Sequence, residues 1–180
     1  LWRDLKSGMY DPWIKNDVEL KDLTPFDIDK AVYESYKVII KIESIKDNNE
    51  KIRIKVIDRG IGISKDNLKN MSCVGKSWDK RDKFKDELKD MPLWLKPTGG
   101  FGIGIQSCFM VSDEIYIKTK TDEDRINVRE IKIESGKENG YITSEIYENE
   151  NFKRGSEVIV NVPKDLNKSY TLGGYTHSRL

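Results

Sequence analysis

Histidine is almost missing from this chain: His177 stands alone, and the only cysteines are Cys73 and Cys108. A zinc centre of histidine and cysteine ligands is therefore excluded in practice, and so is nucleophilic catalysis that leans on a Ser-His-Asp or Cys-His pair. The two thiols sit in apolar surroundings far apart in sequence, so the expectation is reduced, buried cysteine rather than a disulfide framework. Long hydrophobic runs are missing too. No stretch approaches the roughly 18 apolar residues of a membrane helix, and the first residues lack a signal-peptide pattern, so a cytoplasmic protein without a membrane partner is expected. An excess of one charge is also lacking. Charged residues make up 35% of the sequence, yet 32 Lys and Arg against 31 Asp and Glu leave a formal net charge of +1. That balance gives no electrostatic case for nucleic acid as a partner.

Two familiar phosphate-binding signatures fail. Gly75, Lys76 and Ser77 end like a Walker A loop, but Asn70 occupies the position where that loop requires its first glycine. The dinucleotide pattern of three spaced glycines breaks at Lys65 after Gly60 and Gly62, and at Ser107 after Gly102 and Gly104. Internal repeats and low-complexity tracts do not occur either.

What is present fits one domain, since 180 residues are enough to bury a real core but few for two. Residues 1–28 mix Trp2, Pro12, Trp13 and Pro25 with Asp and Lys and read as irregular, with a helical turn around Trp2 to Leu5 and the tryptophans packed on the domain. A short helix is expected between Asp29 and Val38, capped by Asp27 or Asp29. Lys37 to Ile45 and Lys51 to Asp58 read as a hairpin, because Ile52, Ile54 and Val56 alternate with Lys51, Arg53 and Lys55 and define one buried face. Ser64 caps a helix from Lys65 to Met71, with Leu68 and Met71 buried. Trp78 to Leu88 is rich in Lys and Asp with only Trp78, Phe84 and Leu88 apolar, and it reads as a mobile, solvated flap between the two glycine motifs. Ile103 to Val111 is apolar almost all round and is expected to form a buried helix. From Glu114 the period changes to two. Segments 114–120, 126–134, 141–147 and 157–162, separated by Asp-, Asn- and Gly-rich turns, suit an antiparallel meander. Residues 164–180 show no period and read as a flexible tail or a boundary. The expected fold class is α+β: a two-layer sandwich of one mixed, largely antiparallel sheet of about six strands with helices on one face.

Two glycine clusters carry the chemistry. Gly99, Gly100, Gly102 and Gly104 run straight into the apolar segment, and a glycine-rich loop opening a helix offers free backbone N–H groups to an anion. A plain turn before a buried helix is the alternative. Asp58, with Gly60 and Gly62 behind it at a strand end, presents a carboxylate beside a gap lined only by backbone, a suitable acceptor for an exocyclic amine. Its alternative is a strand-terminating turn. The order and context of the two clusters together favour a nucleotide.

In this order, Asp58-x-Gly60-x-Gly62, Gly75-Lys76-Ser77, Gly99-Gly100-Phe101-Gly102-Ile103-Gly104 with the segment Gln106 to Asp113, and Gly155-Ser156 resemble the motifs of the GHKL ATPases, which include gyrase, histidine kinases, MutL and the 90-kilodalton heat-shock chaperones. The helix after the glycine loop most resembles the heat-shock chaperones. This resemblance implies that Asp58 accepts the adenine amino group, that Gly60 and Gly62 let the base approach the backbone, and that Ser156 supports adenine through water. It further implies that Lys76 and Ser77 lie in a nucleotide lid spanning about 72–97, and that Gly99, Gly100, Phe101, Gly102, Ile103 and Gly104 close over the phosphates of ATP or ADP. The family also carries an upstream helix with a Glu that activates water and an Asn that holds Mg²⁺. Glu19 and Glu34 do not match it: Leu23 and Val38 stand where the Asn is needed, and both acids read as surface residues. The expectation is a piece that lacks that helix and so has no residue to hydrolyse ATP, with client proteins or self-association handled by other domains. Two alternatives stay open, a degenerate module of the same fold that binds protein rather than nucleotide, and a histidine-kinase catalytic domain.

Overall fold

The computed structural model describes residues 1–14, 18–46, 48–71, 86, 88–96, 104–135, 140–164, 170–172 and 175–177. Its centre is a six-stranded sheet built from β1 (Ile39–Ile45), β2 (Asn48–Asp58), β3 (Glu114–Lys120), β4 (Asn127–Glu134), β5 (Ile142–Glu148) and β6 (Gly155–Pro163). The strands lie in the order β1-β2-β6-β3-β4-β5, and each pairing is antiparallel. The expected mixed character is thus not seen among the described strands. Nor does the meander run on through its fourth member: β6 leaves β5 and inserts between β2 and β3, which joins the early hairpin to the later strands.

Alternation along each strand sorts the side chains onto two faces. Register places Ile40, Ile42, Ile54, Val56, Val158, Val160, Ile115, Ile117, Ile131 and Ile133 on one face. The opposite face is charged and laced by Lys55–Glu157 at 3.2 Å, Lys118–Glu130 at 3.4 Å and Lys132–Glu114 at 2.7 Å. Over the centre of the apolar face lie α3 (Lys65–Met71) and the short α4 (Gly104–Ser107), which continues as a 3-10 turn through Met110. Leu68, Ile105, Cys108 and Phe109 pack there against Ile115, Ile117, Ile131, Ile133 and Val160.

Two expectations need correcting. The segment after Ile103 is not buried all round, since Met110 is 64% exposed, because a four-residue helix followed by a 3-10 turn turns only one side to the sheet. The hairpin face is also not fully covered. Ile40 and Ile42 on the edge strand β1 are 65% and 69% exposed, because the described helices lie over β6, β3 and β4 rather than over β1.

The first 36 residues build a second, smaller core. Leu5, Leu23, Ile28 and Val32 are buried together, with Tyr10, Tyr36, Trp94 and Leu95 around them. The helix α1 (Trp2–Lys6) supplies Leu5, and α2 (Lys30–Glu34), capped by the Asp29 carboxylate accepting from the Ala31 N–H at 2.8 Å, supplies Val32. Trp2 is buried, but Trp13 is 49% exposed, so only the first of the two packs as expected. Near the C-terminus, Tyr170–Leu172 and Tyr175–His177 pair as two short strands, β7 and β8.

Candidate functional site

The ends of β2, β3 and β6 converge on one point. Asp58 is the last residue of β2 and stands directly opposite Ser156 on β6. Its Oδ1 accepts the Gly60 N–H at 2.7 Å, an Asx turn that fixes the carboxylate and starts the chain back across the sheet. Gly62 follows with φ +73°, and a Cβ there would lie 2.3 Å from the Lys120 carbonyl oxygen, so the crossing is possible only for glycine. The next residue ties the loop down: the Ile63 N–H donates to Thr119 Oγ1 at 2.8 Å.

Thr119 is fully buried, and its hydroxyl also lies 3.1 Å from the Gly155 carbonyl and 3.1 Å from Ser156 Oγ. One hydroxyl thus links the β2–α3 loop to the β6 strand. Gly155 has φ +127°, and a Cβ there would come within 2.2 Å of the Asp58 carbonyl oxygen, so the two chains touch backbone to backbone. The outcome is a half-buried carboxylate with a buried hydroxyl pair beside it and bare glycine backbone around it. That arrangement offers a fixed acceptor to an amine-bearing group.

Behind this point sits an ion network that joins the two cores. Arg154 Nη2 meets Asp4 Oδ2 at 2.5 Å, and its Nη1 reaches Asp122 Oδ2 at 3.1 Å. Tyr36 donates to the same Asp4 carboxylate at 2.5 Å. The Arg154 hydrogen bond holds the Asp4 carboxyl below the usual carboxylate range, and burial, with the hydrogen bond to Asp4, pushes the Tyr36 phenol up.

Of the residues singled out by sequence, Asp58, Gly60, Gly62 and Ser156 come together here. Gly104 opens α4 and is exposed, with nothing within 4 Å of a Cβ placed on it. Lys76, Ser77, Gly99, Gly100, Phe101, Gly102 and Ile103 lie outside the described residues, as does most of the lid segment. Glu19 pairs with Lys21 at 2.6 Å, and Glu34 pairs with Lys37, both at the surface as expected. Among the described residues no three His, Cys, Asp or Glu side chains cluster closely enough to hold a metal. Sequence reasoning missed Thr119 and Arg154, and it quoted Gly155 in a motif without giving it a role. A signal for Thr119 existed: it occupies the inward parity of Ile115 and Ile117, where a polar residue has to answer for its burial.

Comparison with known proteins fits this geometry. A family model described as histidine kinase-, DNA gyrase B-, and HSP90-like ATPase matches residues 28–165. The chaperone protein HtpG of Rickettsia rickettsii (strain Sheila Smith) is 30% identical over 136 residues, covering 73% of this chain and 20% of that protein. HtpG of Oceanobacillus iheyensis is 32% identical over 127 residues, 66% of this chain and 19% of the relative. HtpG of Francisella tularensis subsp. holarctica (strain LVS) is 34% identical over 117 residues, 62% of this chain and 17% of the relative. The chain therefore spans about a fifth of the length of the curated relatives it matches. With a family model covering most of its length, the chain belongs to the histidine kinase-, DNA gyrase B- and HSP90-like ATPases.

Proposed function

We propose that this domain binds ATP or ADP, with the adenine amino group donating to Asp58 and the phosphates under the Gly99–Gly104 loop. The observation that carries the reading is the Asp58 carboxylate. One oxygen is occupied by the Gly60 N–H, and Ser156 and Thr119 stand beside it with glycine backbone on either side. Fixing the acceptor before the base arrives lowers the ordering cost of binding. The buried Ser156–Thr119 pair supplies polar atoms that a bridging water can use.

Among the described residues no three His, Cys, Asp or Glu side chains cluster, and no step is assigned to magnesium. Glu19 and Glu34 are exposed and committed to neighbouring lysines, so neither is assigned as a base for hydrolysis. The proposed role of the domain is therefore nucleotide binding. In a larger chaperone-like protein its nucleotide would bias the conformation of the other parts, clients included. No helix among the described residues is long and apolar enough to cross a membrane.

Isothermal titration of ADP, with and without Mg²⁺, into the wild-type chain and Asp58→Asn tests the reading. Losing one charge-assisted hydrogen bond is worth about 1.5–3 kcal/mol, so the variant is expected to bind about 10- to 150-fold more weakly. Equal heats from both proteins, or none from either, would remove the nucleotide reading and leave a protein-binding module of the same fold.

A further inference from the structure

The two strand ends that build the candidate nucleotide site also wall a second cavity on the other side of the sheet. Asp58-Arg59-Gly60 and Arg154-Gly155-Ser156 touch at Gly155, whose missing Cβ would sit 3.0 Å from the Arg59 Cα. Asp58 and Ser156 share the apolar face, while Arg59 and Arg154 line a cavity of about 500 Å³ together with Tyr10, Tyr36, Ile39 and Lys153. Lys37 and Glu34 complete its rim as an ion pair. Neither Asp58 nor Ser156 is part of that lining.

Charge inside the cavity is unbalanced. Arg154 is committed to Asp4 and Asp122, and Lys37 to Glu34. Arg59 and Lys153 form no ion pair among the described residues, so two cations of different geometry face one space without a counter-charge. The lining also holds aromatic and aliphatic side chains: Tyr10 and Tyr36 meet edge to face with centroids 6.1 Å apart, and Ile39 is 45% exposed. A volume of this size suits a small organic ligand. A lone carboxylate would answer one of the two free cations. A phosphate monoester carries about −1.5 to −2 at neutral pH and answers both, with the guanidinium fork of Arg59 matching two phosphate oxygens and Lys153 acting as a point charge.

We propose that this cavity is a second ligand site, taking a small phosphate monoester with a flat apolar body, held by Arg59 and Lys153 against Tyr10, Tyr36 and Ile39. Because Arg59 is bonded to Asp58 and Gly155 lies against both, an occupant here shifts the backbone that carries the nucleotide acceptor. That coupling rests on the nucleotide reading above, whereas the site itself does not.

Phenyl phosphate serves as the probe, with inorganic phosphate and benzoate as partial probes, in calorimetric titrations of the full chain. The expected order is phenyl phosphate over inorganic phosphate over benzoate. The double variant Arg59→Gln/Lys153→Gln should weaken phenyl phosphate at least tenfold, and Lys132→Gln on the same charged face should leave it unchanged. Lys153 is exposed, Arg59 is half-buried, and neither forms an ion pair among the described residues, so thermal melting is expected to match wild type, and the melting curve separates lost binding from lost folding. Asp58→Asn should keep phenyl phosphate binding even where it loses ADP, which separates failure of this site from failure of the nucleotide reading. The proposal falls if wild type gives no heat with phenyl phosphate, if benzoate binds as well, or if the double variant and Lys132→Gln behave alike.

Discussion

Replacing Gly155 by alanine tests the geometry at the heart of the candidate site. At φ +127° an L side chain is strained, at a cost of about 1–3 kcal/mol. The new methyl would also sit 2.2 Å from the Asp58 carbonyl oxygen and 3.0 Å from both the Asp58 carbonyl carbon and the Arg59 Cα. All of these are backbone atoms, so no side chain can rotate away and β2 has to part from β6 where Asp58 faces Ser156. The parting loosens the pairing there, worth about 1 kcal/mol, and the buried bonds of Thr119 that depend on it, worth about 1 kcal/mol more. The total is about 3–5 kcal/mol, a large share of the roughly 5–15 kcal/mol that holds a domain folded. For a domain of this size the melting temperature should fall by about 6–20 °C. Urea unfolding followed by tryptophan fluorescence measures the difference directly.

Gly104→Ala is the matched control. A Cβ there meets nothing within 4 Å, and the residue opens a helix, so the same chemical change should be neutral or stabilising by up to about 1 kcal/mol. A Gly155→Ala protein within about 0.5 kcal/mol of wild type, or equal losses in the two variants, would refute the backbone contact on which the site is built.

Asp4→Asn should cost about 3 kcal/mol at pH 7, the low end for breaking a buried pair, because Arg154 keeps Asp122 as a partner. The Asp4 carboxyl is held low in the folded state by Arg154, so its contribution is whole above the unfolded value of about 3.9 and disappears as pH falls through the folded value. Melting curves of the two proteins should therefore converge on acidification below about pH 4, and a constant gap would count against the pair. On the sheet, Ile117→Ala should cost about 2–5 kcal/mol and Ile42→Ala under about 0.5 kcal/mol, as their exposures of 1% and 69% require. Chemical denaturation checks both, and comparable losses would mean that the β1 end of the apolar face is covered in solution.

The contrast between Ile117 and Ile42 also shows where sequence reading stops. Both sit in strands, and the register places both on the apolar face. Which part of that face lies under α3 and α4 depends on the order β1-β2-β6-β3-β4-β5, and pattern alone does not fix that order. The same limit applies at the site. The Asp58-x-Gly60-x-Gly62 turn is legible because its hydrogen bond spans two residues. Thr119 answers to Ile63 across 56 residues, and Arg154 answers to Asp4 across 150, so neither partner lies within any local window. Hydrophobic period reports which side of an element is dry, and it is silent about which distant polar group meets another. Polar groups such as Thr119 on a dry face are therefore where sequence alone can still point to a site, since a buried hydroxyl requires partners before those partners are known.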